Sequence, residues 1–163
     1  MKRPSPLIKG VITAAAILLT SVILFYTRAA PYSFTQYLVF AIYASGIIWT
    51  MRDYAHSESY TGKFGDLFSQ GFRCFIIVTL IMAVFTAIFG MMNPQMIEES
   101  AGYYREELLK RGGRLSPEID QMVADYKKQY ITSSVSISVF GYLITGAFFT
   151  AAGAAFFLMK RKK

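Results

Sequence analysis

Four stretches of this chain, 10–26, 34–51, 74–92 and 135–159, contain no Asp, Glu, Lys, Arg or His. Each is 17 to 25 residues long, and a helix rising about 1.5 Å per residue needs about 20 residues to cross a roughly 30 Å hydrocarbon core. A buried helix of a soluble protein is rarely that long and apolar on every side. Composition agrees, because 17% charged against 54% hydrophobic residues is too little charge to cover a soluble domain. The expected fold is all-α: one polytopic membrane domain over residues 1–163, with four transmembrane helices in a bundle.

The first stretch also has the look of a secretory signal, since Lys2 and Arg3 precede an apolar run that ends Thr27-Arg28-Ala29-Ala30-Pro31. The run is long for a signal core, and Arg28 and Pro31 crowd the small-residue site. It is therefore taken as a span. A single cysteine, Cys74, excludes an internal disulfide framework or a cysteine cluster for metal. The single histidine, His56, cannot build a zinc site by itself. No cofactor and no nucleic acid is expected.

An even number of spans puts both termini on one side. Lys2, Arg3 and Lys9 flank the first span, and Lys160, Arg161, Lys162 and Lys163 follow the last. The first connection holds only Arg28, whereas the second holds Arg52, Lys63 and Arg73. Cytoplasmic loops carry the excess of Lys and Arg, so both termini and the second connection are expected inside the cell. The third connection, 93–134, runs against this pattern with six Lys or Arg, accompanied by seven acids. Aromatic residues mark the span ends: Tyr26, Tyr32, Phe34 and Tyr37 at the outer level, Trp49 and Tyr54 at the inner.

Residues 60–73 are half polar and rich in phenylalanine. At 100° per residue, Phe64, Leu67, Phe68, Gly71 and Phe75 fall on one face, and Asp66, Ser69, Gln70 and Arg73 on the other. This predicts an amphipathic interfacial helix with Thr61 at its N-cap. Its apolar face would dip into the headgroup boundary while Lys63 and Arg73 meet anionic lipid. Gly71 permits a bend or a close approach. Phe64, Phe68, Gly71 and Arg73 are the candidate interfacial or partner contacts.

Within 93–134, Asn93-Pro94 opens a helix that Gly112-Gly113 stops, and Ser116-Pro117 caps a second. Ile97, Ala101, Tyr104 and Leu108 form one stripe; Ile119, Met122, Val123, Tyr126 and Tyr130 form the other. The pattern predicts an extramembrane helical hairpin, outside the cell, its second helix continuous with span four. Glu106 to Lys110 and Glu107 to Arg111 are i,i+4 pairs.

Residues that would carry chemistry are sparse. Proton- or ion-moving proteins usually place charges inside the bilayer, and here none sits mid-span. No proline or glycine pair breaks a span, as a discontinuous-helix substrate site requires, and there is no phosphate-binding glycine loop or nucleophile elbow. Asp53, His56 and Glu58 form the best acid–base cluster, without specific spacing. What recurs instead is small residues at packing intervals: Thr79, Ala83 and Ala87; Gly146, Thr150 and Ala154 beside Ala147, Ala151 and Ala155; Ala41 and Ser45; Gly10 and Ala14. A hydroxyl row, Thr132, Ser133, Ser134, Ser136 and Ser138, opens span four.

Four spans, the lead-in 64–73, the Asn93-Pro94 break with Ile97, and a charged insertion before span four resemble the family known as domain of unknown function 4199. Its members are small bacterial membrane proteins. The resemblance implies a four-span fold and the bacterial inner membrane, and it supplies no activity to carry onto residues. The expected role is a non-catalytic scaffold or accessory subunit meeting membrane lipids, anionic headgroups among them, and a membrane-protein partner or a second copy. The alternatives are a small oligomeric carrier or channel lined by the hydroxyl row, and an enzyme acting on lipid headgroups through Asp53, His56 and Glu58.

Overall fold

The computed structural model describes residues 4–27, 32–113 and 115–161, with side chains for all of these except 32–36 and 161. The roles assigned above to Lys2, Arg3, Arg28, Pro31, Tyr32, Phe34, Arg161, Lys162 and Lys163 lie outside the described residues or side chains. The described residues form five helices and no strand: α1 (Pro6–Thr27), α2 (Tyr32–Ala55), α3 (Phe64–Met92), α4 (Pro94–Arg111) and α5 (Ser116–Arg161).

Three of these, Pro6–Thr27, Phe64–Met92 and Ser116–Lys160, are long and apolar enough to cross a membrane. α2 is not among the three. Its 24 residues suffice in length, and the three are those found among the residues with described side chains, which in α2 begin at Tyr37. α5 has 46 residues, about 69 Å at 1.5 Å per residue, so a roughly 30 Å core accounts for less than half of it.

The chain divides into two compact units, Met1–Met82 with Val139–Lys163, and Ala83–Ser138. In the first, α2 buries Tyr43, Gly46, Ile47, Thr50 and Met51, a one-sided i, i+3, i+4, i+7, i+8 stripe. α3 does the same with Leu67, Gly71, Cys74, Phe75, Val78, Thr79 and Met82. α1 contributes Ala14 and Ile17, and α5 contributes Thr150 and Ala154.

Glycines set how closely these helices approach. A Cβ on Gly46 would collide with the Thr13 side chain; one on Gly10 would stand 2.8 Å from the Cys74 carbonyl oxygen. On Gly71 it would lie 2.6 Å from Thr150 Cγ2, and on Gly146 it would lie 2.9 Å from Phe75 Cβ and against the Tyr43 hydroxyl. That hydroxyl donates to the Tyr142 carbonyl at 3.0 Å. The two tyrosine rings meet edge to face at 5.3 Å, a favoured aromatic geometry.

The lead-in differs from the sequence expectation in its details. The helix begins at Phe64 rather than at residue 60 and runs unbroken into α3. Gly71 therefore serves close packing, not a bend. Thr61 does not cap the backbone; its hydroxyl donates to the Asp66 carboxylate. Phe64, Phe68 and Phe72 form a ladder at i,i+4 spacing, with centroids 5.9 and 6.4 Å apart. Phe64 and Phe72 are exposed.

The second unit holds the hairpin. α4 and the start of α5 bury Ala101, Leu108 and Ile119. Tyr104 stacks on Tyr126 at 4.7 Å, and Ser100 Oγ donates to the Tyr130 hydroxyl at 3.3 Å. Lys127–Glu98 and Arg105–Asp120 bridge the two helices at 2.5 and 2.7 Å. The i,i+4 pairs are present, Arg111–Glu107 at 2.5 Å and Lys110–Glu106 at 3.9 Å.

The connections are chemically specific. Pro94 occupies the first turn of α4, where its missing N–H costs nothing. Asn93 does not cap forwards; its side-chain amide turns back and donates to the Phe89 carbonyl at 2.8 Å, closing α3. Gly112 and Gly113 take φ of 65° and 77°, a region favouring glycine. The first turn of α5 is closed by the Leu115 carbonyl, which accepts from Glu118 and Ile119 at 3.0 and 3.1 Å. Ser116 therefore stands inside the helix instead of capping it.

Gly146→Ala is expected to destabilise the protein in mild detergent by about 1–3 kcal/mol through overpacking. Gly141→Ala, on an open face of the same helix, should be neutral or stabilising by up to about 1 kcal/mol. Thermal unfolding of both variants, followed by far-UV circular dichroism, checks the pair. Equal effects would show that Gly146 is not a packing contact.

Candidate functional site

Lys9 is the only charged residue between Pro4 and Thr27, and it is 2% exposed. A buried ammonium is costly unless it is paired. Its Nζ stands 2.5 Å from Asp53 Oδ2 and 5.2 Å from the centre of the Trp49 ring. An indole face attracts a cation through its quadrupole, so the ring and the carboxylate together stabilise the charge. The Lys9 carbonyl is engaged as well, accepting from Thr13 Oγ1 at 2.8 Å.

Trp49, Arg52, Asp53 and His56 follow one another at i, i+3, i+4 and i+7, so the end of α2 projects them from one face. They line an open pocket of about 440 Å³. His56 continues the helical course just past Ala55: its N–H and its Nδ1 both bond to the Arg52 carbonyl, at 3.2 and 2.8 Å. That carbonyl accepts, so Nδ1 carries the hydrogen and Nε2 is left for a ligand. Arg52 is exposed, and no carboxylate pairs with it among the described residues. With Lys9 offset by Asp53, the guanidinium gives this pocket a net positive charge while His56 is neutral.

The structure brings Asp53 and His56 together, but Glu58 does not line the pocket. Of the interfacial candidates, Gly71 is buried, Phe64 and Arg73 are exposed and Phe68 is half-buried. Of the packing candidates, Thr79, Gly146, Thr150 and Ala154 are buried, while Ala83 and Ala87 are half-buried. Ala41 and Ser45 are both exposed; the close-packing small residue on α2 is Gly46. Among the described residues no group of three His, Cys, Asp or Glu is placed to hold a metal ion.

The hydroxyls of the long helices mostly turn inward on their own turns. Thr79 donates to the Phe75 carbonyl, Thr50 to Gly46 and Ser136 to Thr132, all at 2.9 Å. Ser138 and Thr86 hydroxyls meet at 3.3 Å. Ser134 lines a small, mostly apolar pocket of about 120 Å³ with Phe85, Phe89, Met96 and Tyr130.

Lys9 is the functional residue that sequence reasoning passed over. In sequence it flanks the first span, but its isolation at the head of an apolar run, opposite an acid just beyond the next run, marks a pair at one depth.

Long apolar helices with their few charges gathered at one end define a helical protein of membrane-compatible character. The chain belongs to the family described as protein of unknown function (DUF4199), whose model matches residues 7–160. No curated protein and no solved structure matches it.

Asp53→Asn removes the partner of a buried ammonium. Breaking a fully buried pair typically costs about 3–5 kcal/mol, and since the Asp53 side chain is 31% exposed, about 1–3 kcal/mol is expected. The double change Lys9→Met with Asp53→Asn should cost less than the sum of the single changes. Chemical denaturation in detergent micelles checks this, and strict additivity would show that the two groups do not interact.

Proposed function

We propose that this is an integral protein of the bacterial inner membrane, with four spans packed as a bundle. In this arrangement both termini are cytoplasmic and the hairpin of α4 and early α5 is extracytoplasmic. It works as a non-catalytic scaffold or accessory subunit, through contacts with lipid and with another membrane protein or a second copy.

The observation that carries this reading is how the side chains are sorted. Large apolar residues are exposed in helical stripes, Leu80, Val84, Ile88 and Met91 on α3 and Ile137, Phe140, Ile144 and Phe148 on α5. A water-facing surface rarely carries such patches. Most polar groups of these helices, by contrast, are engaged within the protein: Lys9 with Asp53, and Thr13, Thr50 and Thr79 with the carbonyls of their own turns, the buried Thr150 hydroxyl being the exception. Hydrocarbon demands this sorting, because an unpaired polar group there costs several kcal/mol or about that order.

α2 joins the spans by association. α1 and α2 pack against each other, and the Lys9–Asp53 pair fixes the start of one level with the end of the other. An α1 that crosses the bilayer therefore carries α2 alongside it. Exposed Tyr26 and Tyr37 at one level and Trp49 at the other suit the two interfaces. The engaged state of Asp53, together with Glu58 lying outside the pocket, favours a structural role over the enzyme alternative.

Cys74 is fully buried, so thiol reagents should reach introduced cysteines selectively. Glu106→Cys is expected to react with an impermeant maleimide in intact spheroplasts, and Lys163→Cys only after lysis. The opposite pattern would invert the topology, and labelling of both from outside would show that α5 does not cross.

A further inference from the structure

We infer that the pocket at the end of α2 is a specific seat for the phosphate of an anionic glycerophospholipid. The inference deepens the membrane reading and rests on it.

Two groups that give N–H donors, Arg52 and Trp49, line this pocket with His56 and, among the described residues, a single carboxylate, Asp53. Asp53 is bonded to Lys9, so its charge is offset from behind. Arg52 lies exposed at the rim with its forked donors uncommitted, and a guanidinium recognises phosphate in two-pronged fashion. The neighbouring His56 is held by its Nδ1–H on the Arg52 carbonyl, so its other ring nitrogen is an acceptor, suited to a headgroup hydroxyl rather than to the phosphate itself. A pocket of about 440 Å³ exceeds what a bare ion needs and falls within the usual range of small-molecule sites, about 300–1,000 Å³.

A lipid fits better than a soluble phosphate because of the surroundings. Leu7, Ile8, Val11 and Ile12 flank Lys9 on α1, and Ile48 adjoins Trp49 on α2, all exposed. Apolar side chains thus stand beside the cationic pocket, as a headgroup joined to acyl chains requires. Trp49 adds the amphipathic ring typical of the headgroup level. The Lys9–Asp53 pair acts as the positioning element, since the ammonium offsets the charge of the carboxylate in the pocket wall.

The test uses the full-length protein, delipidated in mild detergent and titrated with phosphatidylglycerol, phosphatidylethanolamine or glycerol 1-phosphate, with adducts counted by native mass spectrometry. Wild type should bind one phosphatidylglycerol in clear preference to phosphatidylethanolamine, and Arg52→Gln should weaken that binding about tenfold, the scale of one lost charge-assisted contact. Lys128→Gln, an exposed charge on the hairpin, should leave it unchanged. Equal uptake of both lipids, or an unaltered Arg52→Gln, would overturn the inference. Binding of glycerol 1-phosphate as tight as that of the lipid would overturn it too, by assigning the pocket to a soluble ligand. None of these failures touches the topology experiment, so loss of the lipid seat and loss of the scaffold reading are told apart.

Discussion

Helices dissolved in hydrocarbon gain nothing by hiding leucine from their surroundings, so they adhere where their backbones come close. Under the membrane reading proposed above, that constraint organises the first unit. Gly10, Gly46, Gly71 and Gly146 each stand where a methyl group would strike a neighbouring helix, and each is opposed by a residue from another element: Cys74, Thr13, Thr150 and Phe75 respectively. The glycines supply no apolar area of their own. Their contribution is distance, and dispersion contacts between the flanking side chains follow from it.

The same physics explains why the charged groups sit at one end. An ammonium at the head of α1 is tolerable because a carboxylate and an indole meet it at once, and α2 can deliver both since residues 49 and 53 are one turn apart. The pair then serves two purposes. It fixes the depth at which α1 and α2 lie against each other, and among the described residues it leaves Arg52 without a carboxylate partner.

Helix identity and extent were largely legible in the sequence. Long uncharged runs need no tertiary information to declare themselves, and the hairpin followed from Pro94, from Gly112-Gly113 and from two apolar stripes that the structure brings into contact through Tyr104 and Tyr126. The ridge of Gly146, Thr150 and Ala154 was also visible, because a four-residue repeat lands on one face. Caps and partners were less legible. Thr61, Asn93 and Ser116 are all good cap residues by type, yet each has its place taken by a nearer competitor: the Asp66 carboxylate, the Phe89 carbonyl and the Leu115 carbonyl. Lys9 and Asp53 lie 44 residues apart, and no local pattern encodes such a meeting. Ala41 and Ser45 had the right spacing but the wrong face, since the side of a helix that meets a neighbour is chosen by the whole packing.

The tip of the hairpin has a consequence for how a chain like this can change. Gly112 and Gly113 adopt backbone angles that most side chains avoid, and Arg111 and Leu115 nearby are exposed. Extra residues inserted between them would disturb no buried contact, and the entropy of closing a loop rises only with the logarithm of its length, about 0.6 kcal/mol per doubling. The molecule is thus free to grow at this one corner, acquiring an added module or recognition loop there while the helices below keep their register.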